Sequence, residues 1–115
     1  MENNKLIAEF MGINPILYEY YYYDRVKEID KLIYYNSDWN LLMKVVDKIE
    51  EMGCRTELLG QKDNYNFQIG KKGGHYRDFD SDGETKILAV YSGVVQFIEW
   101  FNAAKKVKKI IIKQL

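Results

Sequence analysis

The stretch from Glu84 to Ala104, "ETKILAVYSGVVQFIEWFNAA", limits what this chain can fold into more than any other part of it. Ile87, Val90, Tyr91, Val94, Ile98 and Phe101 recur at spacings of three and four, which predicts a helix from about 84 to 104. Leu88, Val95, Phe97 and Trp100 widen that stripe well beyond a narrow seam. A helix this apolar either sits at the centre of a core or is shared with another subunit.

The length of 115 residues gives it one domain, 1–115, since two ordinary cores do not fit. Seventeen Lys and Arg balance seventeen Asp and Glu, so no global field draws nucleic acid or an anionic membrane. Cys54 is the only cysteine, which excludes a scaffold stapled by intrachain disulfides. The start, "MENNKLIAEF", lacks the basic tip and apolar run of a signal peptide. Uninterrupted apolar runs fall short of a membrane span. The expectation is a cytoplasmic protein without a membrane role.

Further elements follow from periodicity. Leu6, Ile7, Phe10 and Met11 share one face of a short helix over 3–11, with Gly12 as its stop. The run "ILYEYYYY" (16–23) is aromatic and β-branched and predicts a strand. Residues 24–35 fit a helix or a second strand equally well. Ser37 is expected to cap a helix carrying Trp39, Leu42, Met43, Val46 and Ile49, which Gly53 ends. The runs at 54–59 and 65–69 alternate, and "GQKDN" between them is turn chemistry, so they form a hairpin. Residues 70–82 read as a loop, with room for a short strand at 75–79. The tail "KKVKKIIIKQL" either extends the last helix or forms a strand. The fold class is α+β: two or three amphipathic helices packed on a small antiparallel sheet.

Four features are candidate sites. "DFDSDG" places Asp78, Asp80 and Asp82 at alternate positions before Gly83, as the first half of an EF-hand calcium loop does. Position twelve is Ala89, however, where that loop needs a bidentate glutamate. The competing reading is an acidic approach to the last helix, capped by Ser81 or Asp82. Tyr18, Tyr20, Tyr21, Tyr22 and Tyr23, with Trp39 and Trp100, form an expected interface, because rings with a polar tip suit contact surfaces. Stacking bases on those tyrosines is the rival reading, and the neighbouring acids Glu19 and Asp24 oppose it. Lys105, Lys106, Lys108 and Lys109 could meet nucleic acid, or simply be the wet face of a helix. "GKKGGH" (70–75) has the residues of an anion nest without the spacing of a phosphate loop. His75 and Cys54 have no local context of a nucleophile or zinc site, and no cofactor is expected.

Three segments carry a resemblance: "NNKLIAEFMG", "YYNSDWNLLMKVVDKIEEMG" and "ETKILAVYSGVVQFIEWFN". In order and spacing they resemble a family of small uncharacterised proteins from Bacteroides-type bacteria and their phages. The family's middle helix begins S-W-D-W-L-M-P. Trp39, Leu42 and Met43 fit that pattern, while Asn40, Leu41 and Lys44 depart from its Asp, second Trp and Pro. The resemblance implies a small cytoplasmic accessory protein of mobile elements and brings no catalytic residues.

The functional expectation is a non-enzymatic interaction protein, a homo-oligomer with an unidentified protein partner besides. The alternatives are a nucleic-acid-binding accessory protein and a weak calcium-binding module at 78–84.

Overall fold

The computed structural model describes residues 2–13, 34–71 and 77–114. In chain order these form α1 (Glu2–Phe10), α2 (Trp39–Glu51), β1 (Cys54–Gln61), β2 (Asn64–Lys71), β3 (Arg77–Gly83) and α3 (Lys86–Gln114). The strands make one antiparallel sheet in the order β1-β2-β3, so the α+β expectation holds. The tyrosine strand expected at 16–23 and the open question at 24–33 lie outside the described residues, as does most of the 70–75 loop with His75.

α2 starts one residue later than its sequence suggests. Asp38, extended at φ −114° and ψ 101°, accepts a hydrogen bond from the Leu41 N–H at 3.1 Å and is the cap. The expected cap, Ser37, instead points its hydroxyl back to the Tyr34 carbonyl at 3.4 Å, within a turn over 34–38. Asp38 wins because a charged acceptor also meets the positive end of the helix. At the other end Gly53 takes φ +95°, a left-handed conformation that suits glycine as a helix stop.

The hairpin turns tightly at Lys62 and Asp63, with Gln61 opposite Asn64. Both strands run longer than 54–59 and 65–69, since every added pair satisfies backbone groups. Within the loop expected at 70–82, residues 77–82 belong to β3, which overlaps the short strand allowed for at 75–79 and runs on to Gly83. β3 pairs with β2 from Tyr65–Gly83 to Gly70–Arg77, with an irregularity at Ile69/Gly70. Aspartate and glycine disfavour strands in isolation, but the ladder and an inner face holding Phe79 and buried Ser81 override that preference.

α3 lies across the inner face of β2 and β3. Its buried residues Ala89, Val90, Val94, Val95, Phe97 and Ile98 share one core cluster with Phe67 and Ile69. Gly93 permits the close approach: a Cβ at that position would come within 2.6 Å of the Phe67 ring. Ile7, Ala8 and Phe10 of α1 and Leu42, Val45, Val46 and Ile49 of α2 complete the core. Each fully buried aliphatic side chain contributes about 1.5–3 kcal/mol. By length and composition Lys86–Val107 could also cross a membrane, yet in this fold it is the helix around which the core forms.

Thr85, not Ser81 or Asp82, caps α3: its Oγ1 accepts from the Leu88 N–H at 3.2 Å. Ser81 is a buried strand residue and cannot serve. The tail extends α3 to Gln114, which decides between its two readings. Each residue added to an existing helix gains a hydrogen bond at low cost, and Ala103 to Lys106 are good helix formers.

Candidate functional site

The core does not close at one end. There the first residues of β1, the last of β2 and the first of β3 stand over the second half of α3, leaving a groove of about 640 Å³. Ile69, Phe79, Phe97, Trp100 and Phe101 line it, with Met52 and Cys54 at its α2 side. Phe79 meets Phe97 and Trp100 edge-on at ring distances of 5.8 and 5.6 Å. Phe101 stacks on Phe97 at 6.3 Å, and Phe10 packs edge-on to both. The rings therefore form a continuous path from the core to the surface, where Trp100 is 53% exposed.

Among the described residues two charged side chains line it. Lys71 and Asp78 flank the groove mouth. Burial pushes the Cys54 thiol above its ordinary value, and the negative charge of Asp78 adds to the shift. A thiol held protonated is a weak nucleophile, so Cys54 is an apolar wall here. A second, smaller hollow of about 330 Å³ shares Met52 and Phe101 and is lined by Glu9, Lys48 and Lys105. Lys48 lies 4.3 Å over the Phe10 ring and donates to the Phe10 carbonyl, placing a cation at the negative end of α1.

A polar chain links α3, α1 and the turn before α2. The Tyr91 hydroxyl donates to Asn4 Oδ1 at 3.0 Å, and Asn4 Nδ2 donates to Asn36 Oδ1 at 2.9 Å. Asn4 is buried and finds partners for both its oxygen and its amide. Burial raises the Tyr91 and Tyr35 hydroxyls above the ordinary phenol value, which keeps Tyr91 a donor.

The sequence candidates separate in space. Trp100 is in the groove; Trp39, 38% exposed, opens α2 and does not line it. The five tyrosines lie outside the described residues. Asp78, Asp80 and Asp82 stand along a strand instead of converging in a loop. Asn66 Nδ2 donates to Asp80 Oδ1 at 2.8 Å and to Asp82 Oδ1 at 2.9 Å. Ala89, at the twelfth loop position, is buried in α3. Among the described residues no three His, Cys, Asp or Glu are placed to hold a metal ion. Lys105 and Lys106 are exposed on α3, and Lys105 lies 4.6 Å over the Phe101 ring; Lys108 and Lys109 fall on the same helix.

Sequence reasoning missed Phe79, Met52 and Cys54 as site residues. The available signal was Phe79, the one aromatic residue within an acidic alternation. Comparison with known proteins found no matching family model, curated protein or solved structure.

Proposed function

We propose that this chain is a small non-enzymatic interaction protein of the cytoplasm that binds copies of itself. One observation carries the reading: the aromatic path Phe10–Phe97–Phe79–Trp100 runs out of the core and ends in an open groove. A core that needed only itself gains nothing from leaving an indole half in water. Aromatic residues and methionine are the side chains that protein contacts favour, and lysines and acids at a rim keep such a surface soluble when free. Met52, Trp100 and Phe101 fit that description, with Lys71 and Asp78 as rim. The resemblance to small proteins of mobile elements supports an accessory role.

Static light scattering across micromolar concentrations tests the reading. The expected mass is a multiple of one chain, falling on dilution. Trp100→Ala should shift that transition to higher concentration without lowering the melting temperature much, since the indole is already half in water. A single-chain mass at every concentration removes the proposal.

A further inference from the structure

We infer that β1 is the seam along which two copies join, edge to edge and antiparallel, to make one six-stranded sheet. The inference rests on the self-association proposed above and names its surface. Among the described residues β1 is an outer strand. It has eight residues, no proline and no irregularity in its ladder. Natural sheets normally guard such an edge with proline, a bulge or a like-charged row, because its unpaired N–H and C=O groups template another strand.

The direction of those groups follows from the hairpin. Gln61 and Asn64 close the two-residue turn as a hydrogen-bonded pair. Counting back, Leu59, Glu57 and Arg55 turn their backbone groups toward β2. Leu58, Thr56 and Cys54 turn theirs outward. Among the described residues no other backbone hydrogen bond reaches this edge.

Charge selects one register. With Thr56 opposite Thr56, Arg55 faces the second copy's Glu57 and Glu57 faces its Arg55. Both pairs fall at non-hydrogen-bonded positions, where opposed side chains approach most closely. Cys54, Thr56 and Leu58 then meet as hydrogen-bonded pairs. This puts Leu58 of the second copy beside Cys54, at the mouth of the aromatic groove. The neighbouring registers are poorer. Centring on Glu57 sets Glu57 against itself, and centring on Arg55 sets Arg55 against itself. Centring on Leu58 leaves Arg55 opposite Gln61 and Glu57 opposite Leu59. Within one chain Arg55 and Glu57 form an ion pair at 3.7 Å, and with side chains 61% and 46% exposed that pair costs little to exchange for the same pairing across a facing strand.

A charge-exchange experiment reads this register. Arg55→Glu gives a strand with two acids, and Glu57→Arg gives one with two bases. By sedimentation equilibrium each variant alone should self-associate about tenfold or more weakly than the parent. An equimolar mixture should restore the parent's affinity as a heterodimer, and the double variant Arg55→Glu/Glu57→Arg should pair with itself as the parent does. Circular dichroism melts of all three check that they remain folded. The double variant also controls for any folding effect of either single change. If the parent is a dimer and neither exchange alters it, the β1 seam is wrong while self-association stands. If the mixture fails to recover, the register is wrong. If the parent is a monomer, both proposals fall together.

Discussion

Among the described residues β1 and β3 are the outer strands of one sheet, yet their solvent faces differ. β1 presents Arg55, Glu57 and Leu59; β3 presents Asp80 and Asp82, with Asp78 just before them. Against its own copy in the register centred on Asp80, β3 sets Asp80 against itself and Asp78 against Asp82, and the adjoining registers that keep the acidic faces aligned set Asp80 against Asp78 or Asp82. Like charges directly opposed destabilise a strand pair. The irregularity at Ile69/Gly70 disturbs the β3 edge further. β1 has neither protection, and its one internal charge pair is self-complementary. The support beneath the strands differs as well. β3 rests on α3 through Phe79, while β1 keeps only half-buried Cys54, Thr56 and Leu58 on its inner face. The same sheet thus has a guarded edge over the core and an open edge beyond it, so the assembly of copies has a direction built in.

The largest expected effect tests the difference in support. Phe97→Ala removes the ring that touches Phe10, Phe79, Trp100 and Phe101, and should cost about 3–5 kcal/mol in urea unfolding. Leu58→Ala on β1, measured dilute, should cost about 1 kcal/mol because that side chain is only partly buried. Equal losses would break the comparison.

A smaller effect serves as a control under neither edge. Tyr91→Phe deletes the donor to Asn4 and should cost about 1 kcal/mol. The raised Tyr91 hydroxyl also makes the fold alkali-sensitive. A phenol whose folded value lies above its unfolded one gives stability that is whole below the ordinary value of 10.0 and is lost as pH climbs beyond it. Thermal melts from pH 8 to 11 should therefore fall less steeply for Tyr91→Phe, with the remaining slope owed in part to Tyr35. Parallel slopes would assign the sensitivity elsewhere.

The smallest effect sharpens the contrast between edges. Asp80→Lys places a base two residues from Asp78 and gives β3 the mixed pattern that β1 has. Two pairing edges on one chain no longer close, so light scattering at high concentration should show a minor population larger than a dimer. An unchanged mass would mean that the irregularity, and not the charge row, guards β3.

What could be read from the chain depended on how local its cause was. The stripe Ile87–Phe101, the amphipathic α2 and the 54–69 hairpin all declare themselves within one element, and all are present. β3 was legible only as a short strand at 75–79, because its pairing with β2 and the cover of α3 extend it through residues that locally prefer a loop. The caps slipped by a residue or more because Ser37, Asp38, Ser81, Asp82 and Thr85 are all capable, and only backbone geometry chooses among them. The groove was least legible. Cys54, Phe79 and Trp100 are distant in sequence and meet only when three strands end over one helix. Periodicity shows that a residue faces inward, not that the interior stops there.

The hydrogen bond from Tyr91 to Asn4 joins positions 87 residues apart. Ile7, Ala8 and Phe10 likewise find their burial against a helix that begins at Lys86. During synthesis the first turns of α1 leave the ribosome well before anything exists to receive them. Hairpin and α2 can form as soon as they are made, but α1 has to wait for α3. Its docking follows the synthesis of α3, and a chain truncated ahead of α3 leaves those apolar side chains without shelter.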